Sequence, residues 1–408
     1  MAWSALAATP LMPMGAGEQA VQSSPAPVGK WDASDIRASW QVWTPGVAGS
    51  STACPTKLVP GRRTVAIDAG AASVHIAGGG TATRHLALRE ELLPEVHYLP
   101  DGRYALMATR TGWVLRLDLE LAQLVAEVRV GLLTNGTALS APRAGHPGLL
   151  AIANGEPHTL AVLDEQLQLI KLLPVIDKAG GTSSGAAAIQ TAAARGSFVA
   201  TLALVPELWE ISYQPTAPEI GLGLVHDFQY REGQFVPGYL NPQRSMLPTP
   251  AREFFLAGSG HEVITAHGGA DSQHSGAGAR MRITHLDTRG KVAELTLPGW
   301  PALDRSLSWN SKGQERLAVP NTSLGLVSIV DPKLWALLGH LRTDGPVRFV
   351  STTPESPWLW IDSGALPGAP LSTLKVDKTS LDVVEEVADG AGSAAIGKLA
   401  GKADACAL

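Results

Sequence analysis

Between residues 62 and 390 one unit of sequence recurs seven times: a strand, a turn, a second strand closing on Asp or a substitute, another turn, and a third apolar strand. It is plainest in "YLPDGRYALMATRTGWVLRLDLELAQLVAEVRV" (98–130) and is written again in "GHPGLLAIANGEPHTLAVLDEQLQLIKLLPV", "RGSFVATLALVPELWEISYQP" and "GQERLAVPNTSLGLVSIVDPKLWALLGHLRT". The positions that close the second strand are Gly78, Asp118, Asp164, Tyr213, Asp287, Asp331 and Asp377, at intervals of 40, 46, 49, 74, 44 and 46 residues. A period of about 40 to 50 residues with about four short strands per unit is the pattern of β-propeller blades, each a small sheet that buries its faces against its neighbours. The expected fold class is therefore all-β, one β-propeller of seven recognisable blades with room for an eighth. The interval of 74 holds an insertion, "VHDFQYREGQFVPGYLNPQRSMLPTP", around residues 225–250. Closure of such a ring takes strands from both chain ends, and "WQVW" (40–43) or "SAAIGKLAG" (393–401) could supply one.

Composition narrows the function classes. With 45% apolar and 17% charged residues over 408, the chain is globular in type, and a net charge of −5 without a basic cluster offers no footprint for nucleic acid. No apolar run approaches the roughly 20 residues of a membrane helix. Residues 1–39 open with "MAWSALAATPLMPMGAGEQA", small and apolar but interrupted by Pro and Gly and without a preceding Lys or Arg. They are expected to be an export-signal remnant or a disordered linker, with the propeller over 40–408 and the protein periplasmic or secreted. The two cysteines, Cys54 and Cys406, form no CxxCH, so these residues hold no c-type haem attachment, and they make no zinc motif. One bridge between the chain ends and two unpaired thiols both remain open.

Nucleophile motifs of the GxSxG and GxxxxGK[ST] types are absent, and "GGTSSG" (180–185) reads as linker. In "LAGSGHEVITAHGGADSQHSGAGAR" (256–280) three histidines fall in different settings. His261 lies in a turn, His267 closes an alternating strand on the face shared with Val263 and Thr265, and His274 sits in a Gly/Ser loop. Spacing alone does not make these three converge, and no metal site is expected. Asp68, Asp118, Asp164, Asp287, Asp331 and Asp377 occupy equivalent turns, where a carboxylate bonds to nearby backbone N–H groups.

Several phrases, in order, resemble the haem-d1 domain of cd1-type cytochromes, a family that includes the nitrite reductase d1 domain, d1-like cytochromes and haem-d1 biosynthesis proteins of the NirF and NirN type. They are "LVPELWEISYQPTAPEIGLGLVHDFQYREG" (204–233), "AREFFLAGSGHEVITA" (251–266), "DTRGKVAELTLPGWPAL" (287–303), "LGLVSIVDPKLW" (324–335) and "TTPESPWLWID" (352–362), together with the "DGRY…TRTGW" blade. The resemblance covers roughly residues 62–390 and implies a propeller holding haem d1 or a related tetrapyrrole in its channel, with histidines around the iron and arginines on the carboxylates. Arg110 in "ATRTGW" corresponds to a carboxylate clamp; Asn154 and His158 in "IANGEPHT" fall in the matching turn of the next blade. Trp113 beside the first of these turns and His267 at a channel mouth complete the expected contacts, each with a packing role as its alternative, and Arg244 and Arg252 flank the insertion. Three departures weigh against nitrite reduction. Ala302 stands in "PGWPALDRS" where the family has His, Thr353 in "STTPESPWLWID" likewise, and His97 in "LLPEVHYLPDGRY" is displaced by about three residues, an odd shift that reverses its face on a strand. Two functions follow: a protein that binds or helps to mature a tetrapyrrole, or a propeller scaffold that offers its faces to protein partners.

Overall fold

The computed structural model describes residues 31–43, 63–68, 72–78, 81–88, 90–143, 145–221, 235–268, 278–321, 324–364 and 372–388. Cys54, Cys406, His274 and the 393–401 tail lie outside them.

The expected propeller is present, as seven antiparallel blade sheets in chain order among the described residues. Blade 1 (63–87) has three strands; blades 2 (97–129), 3 (133–174), 4 (186–246), 5 (254–297), 6 (307–342) and 7 (347–388) have four each, counted without an edge strand added to blade 2. The reason for the continuous apolar runs is visible in blade 3. Along Leu149–Ala153, Leu149, Ala151 and Ala153 face blade 4, while Leu150 and Ile152 face blade 2, so both faces are core and no position in that run is polar. Six such interblade cores join successive blades. Full burial of a side chain the size of Ile152 contributes about 2 kcal/mol.

The turn aspartates act as expected. Asp118 Oδ1 accepts from the N–H groups of Glu120 and Leu121 at 2.8 and 3.0 Å, Asp331 and Asp377 make the same pair of bonds to their own turns, and Asp164 accepts from Gln166 and Gln168. Asp287 does not.

Three sequence expectations are revised. The segment "WQVW" adds Gln41–Val42 to the outer strand of blade 2, Gln123–Arg129, as a fifth strand, rather than completing blade 1. Within 31–39, part of the segment expected as an export-signal remnant or a disordered linker, Ala33–Ser39 is a helix closed by a capping box between Asp32 and Asp35, and its Ile36 is fully buried in the core of blades 2 and 3. The insertion is shorter than expected, because Pro242–Met246 is the outer strand of blade 4, paired to Glu207–Ser212. A two-stranded ribbon, Ile220–Gly221 with Phe235–Val236, projects between the third and fourth strands of that blade.

The first strands of blades 2 to 5 run side by side, stitched by side chains. His97 Nε2 lies 2.8 Å from Thr137 Oγ1, Asn135 Nδ2 donates to Ala186 O at 2.8 Å, Thr191 Oγ1 to Leu139 O at 2.6 Å, and Gln190 Nε2 to Phe254 O at 3.1 Å. Small residues make this approach feasible: Ala186–Ala192 reads "AAAIQTA", and Gly136 faces Ile189.

Candidate functional site: a cavity along the inner strands

These inner strands enclose a cavity of about 710 Å³, whose wall includes Glu95, His97, Arg110, Asn135, Thr137, Gln190, Arg252, Glu253 and Asp304. Its volume falls within the 300 to 1,000 Å³ typical of small-molecule sites, given as an approximate range.

His97 lies on this wall, so the displacement in sequence does not turn it away. Its strand, His97–Tyr98, is only two residues long, and the preceding loop, not strand alternation, sets the orientation. Burial holds its imidazole at about pKa 4, so it is neutral at physiological pH. Arg110 lies on the turn between the second and third strands of blade 2, at the end where the first strand begins; its N–H donates to Glu91 O at 3.0 Å. Its side chain is 52% exposed and stands 3.5 Å from the Glu91 carboxylate. The guanidinium therefore reaches the cavity from a solvated rim.

The carboxylates of the wall were not singled out from the sequence. Glu95 precedes the first strand of blade 2, and burial raises its pKa while the Arg110 charge lowers it. Its Oε2 is buried without a hydrogen-bond partner. Glu253 immediately precedes the first strand of blade 5; its Oε1 accepts from Trp300 Nε1 at 3.3 Å and its Oε2 from the Asp304 N–H at 3.4 Å. Burial, with the neighbouring Asp304 carboxyl adding to it, pushes Glu253 up to about 7. The signal available in the sequence was a Glu at the entry to an inner strand, in "PEVHY" and "AREFF".

The other expected contacts are not on this wall. Asn154 is fully buried and saturated: Nδ2 donates to Val130 O at 3.0 Å and Thr159 Oγ1 at 3.1 Å, and its Oδ1 accepts from Thr134 Oγ1 at 3.2 Å. It pins its own hairpin to the next strand. His158, on that hairpin, places Nδ1 2.8 Å from Ser183 Oγ. Trp113 packs against the core of blades 1 and 2, with the Arg129 guanidinium 5.8 Å from its ring. His267 is 4% exposed, with Nδ1 2.8 Å from Thr249 Oγ1 and Nε2 2.7 Å from Thr265 Oγ1. Both nitrogens are spent on hydroxyls, which can each donate or accept, and this geometry favours the packing alternative over a ligand contact. Arg244 bonds to Glu207 and to Ile176 O and lies over the Trp209 ring, whereas Arg252 does reach the cavity. Of the two substituted family positions, Ala302 is 7% exposed at the start of a helical turn, and the Thr353 carbonyl accepts from Lys378 Nζ at 2.6 Å.

The inner strands thus line a cavity that carries two arginines, three carboxylates and a neutral histidine, a polar set suited to a small-molecule site. The comparisons with known proteins place the chain in a family. Residues 64–232 and 249–402 match the model of the cytochrome D1 haem domain, and the chain belongs to that family. It is 30% identical over 369 residues to the dihydro-haem d1 dehydrogenase of Pseudomonas aeruginosa PAO1, covering 90% of this chain and 68% of that protein. A solved structure, the dihydro-haem d1 dehydrogenase NirN in complex with DHE, superposes with a TM-score of 0.73 at 27% identity, covering 91% of this chain and 72% of the other. The chain is thus a d1-domain protein of the haem-d1-related, tetrapyrrole-handling kind. Among the described residues no helix is long and apolar enough to cross a membrane.

Proposed function

We propose that this chain holds haem d1 or a related tetrapyrrole in the cavity along the inner strands of blades 2 to 5, and carries or matures it without reducing nitrite. The observation that carries the reading is the cavity itself, of about 710 Å³, lined by His97, Arg110 and Arg252 within the span matched by the haem-domain family. The wall fits such a group. Guanidinium donors suit the carboxylates of a tetrapyrrole, the neutral imidazole of His97 can face a metal, and the orphaned Glu95 Oε2 gains a partner when a ligand enters. When bound, the macrocycle supplies its iron and conjugated ring system. Glu253, held near neutrality, is the wall group that takes up or releases a proton at physiological pH. A relative that is a dehydrogenase of dihydro-haem d1 makes a reduced tetrapyrrole a reasonable ligand to test first. The missing histidines at Ala302 and Thr353 support a role other than nitrite reduction. The reading takes the chain from Trp31 onward, the Ala33–Ser39 helix included, as one propeller domain in the periplasm or outside the cell, consistent with the small apolar residues of 1–20.

The test is a visible-absorption titration of the purified chain with haem d1 and with its dihydro form. A saturable spectral shift at micromolar concentration is expected, and Arg110→Ala should weaken it by about tenfold, the low end for a charge-assisted bond because half the side chain is in water. His97→Ala should alter the spectrum itself. If the parent chain binds neither tetrapyrrole, the reading falls, and a scaffold that presents its faces to protein partners takes its place.

A further inference from the structure

At the other end of blade 5, away from the cavity, three ligand-type side chains meet. His261 lies in the turn between the first and second strands, and His285 and Asp287 lie where the third strand, Ala279–His285, gives way to the fourth. Arg110 sits on a turn between second and third strands, and in an antiparallel sheet those two sets of turns lie at opposite ends. Register brings the group together: Glu262 pairs with His285, and the Leu286 N–H donates to His261 O at 2.8 Å.

Asp287 Oδ2 stands 3.1 Å from His261 Nδ1 and 3.7 Å from His285 Nδ1, and the three ligand atoms all lie within 4.8 Å of one another. Two ligands each about 2.1 Å from a tetrahedral ion are about 3.4 Å apart, a value these two distances bracket. Asp287 holds the turn position where Asp118, Asp164, Asp331 and Asp377 bond to backbone N–H groups, but its carboxylate is directed elsewhere. Its Oδ1 is held by Arg195 Nη1 at 2.6 Å, and Arg195 is itself fixed from blade 4 by the Glu210 carboxylate at 2.7 and 3.2 Å. That leaves Oδ2 turned toward the two imidazoles. His285 Nδ1 accepts from the Asp287 N–H at 3.2 Å, and His261 Nδ1 lies between Arg195 Nη1 at 2.9 Å and Asp287 Oδ2 at 3.1 Å, its role set by the tautomer. Two imidazole nitrogens and one carboxylate oxygen thus gather at a partly exposed turn, with Arg195 and the Asp287 N–H as their present partners.

We propose that His261, His285 and Asp287 form a binding site for a divalent transition-metal ion of the zinc class, with water completing the coordination and Arg195 orienting the carboxylate from outside. Two nitrogens and one oxygen suit zinc and exclude magnesium, which takes oxygen ligands and keeps its water. On binding, His261 Nδ1 leaves Arg195 Nη1 and His285 Nδ1 leaves the Asp287 N–H, both rings carrying their proton on Nε2, while Arg195 keeps Oδ1 as an outer partner that orients the ligating carboxylate. The site is independent of the tetrapyrrole, and neither ligand should displace the other.

The test uses the full chain without an affinity tag. Calorimetry with zinc chloride should show one ion bound at micromolar concentration, weakening as the pH falls and protons compete for the imidazoles. Magnesium should give no heat. Asp287→Asn and His261→Gln, both at half-exposed positions, should abolish binding, while His267→Gln should leave it intact. Zinc should also raise the melting temperature of the parent and of His267→Gln, and leave that of the two site variants unchanged. Anomalous scattering at the zinc edge from soaked crystals locates the ion independently of any variant. Absence of zinc uptake by the parent, uptake that survives both substitutions, or an anomalous peak elsewhere overturns the proposal.

Discussion

Replacing His267 with Gln should flatten the acid side of the stability curve. In the folded chain this imidazole is 4% exposed, and burial first, then the charges of Arg282 and Arg280, hold its pKa at about 4 against an ordinary 6.5. The unfolded chain therefore binds more protons than the folded one throughout the window from about 6.5 down to about 4. The contribution of His267 to stability is intact above pH 6.5 and is lost progressively as the pH falls through that window. Each pKa unit corresponds to about 1.4 kcal/mol, and integrating between pH 7 and pH 5 gives a loss of about 2 kcal/mol from this residue alone. Gln carries no charge in this range and can bond to the Thr249 and Thr265 hydroxyls at only some of the same positions. The variant should accordingly be less stable at pH 7 yet lose about 2 kcal/mol less than the parent on acidification to pH 5. Urea unfolding of both proteins at pH 7, 6 and 5 measures this difference directly. Parallel curves would show that the imidazole is not held neutral by burial, and the packing assignment would fail with it. The comparison has to be between variants, because other groups titrate in the same range: His97, also held at about 4, adds to the acid loss, and Glu253 opposes it.

Glu253 should give the opposite sign, since its folded pKa near 7 lies above the ordinary 4.5; the folded chain gains stability as the pH falls from 7 toward 4.5, and Glu253→Gln should remove that gain in the same urea series. Asn154→Ala strips partners from Val130 O, Thr159 and Thr134 in a fully buried setting and should cost about 2 to 3 kcal/mol by denaturant unfolding, with the tetrapyrrole titration unchanged. Arg252→Ala, on the cavity wall, should weaken tetrapyrrole binding in the way Arg110→Ala does, whereas Arg244→Ala should lower stability and leave binding alone.

The architecture was legible because the propeller writes its period into the chain. Strands buried on both faces give unbroken apolar runs such as Leu149–Ala153, and the turn aspartates mark the repeat at Asp118, Asp164, Asp331 and Asp377. Which of the expected residues line the cavity was legible only in part. Arg110 and His97 reach the cavity, but Asn154, Trp113 and His267 are held by neighbours that no local spacing discloses: a strand 20 residues away in sequence for Asn154, and the loop residue Thr249, 18 residues upstream, for His267. A polar residue beside an inner turn has two uses, to bond a ligand or to anchor the turn, and which of them it serves depends on whether a partner from the next blade arrives first.

The histidines of 256–280 show the same limit from the other side. Read along the chain, His261 and His267 belong to one motif, six residues apart on one hairpin arm. In the fold they lie at opposite ends of the strand Glu262–His267, one in a half-exposed turn and the other under two threonine hydroxyls. The true neighbours of His261 are His285 and Asp287, more than 20 residues on, because antiparallel pairing folds the third strand back beside the second. Convergence in a blade is set by register across strands, so residues at the same end of neighbouring strands meet and residues within one strand do not. A propeller of this kind has room for two separate sites: the proposed tetrapyrrole cavity lies along the inner strands of blades 2 to 5, and the proposed cation site lies at the turns of the far end of blade 5.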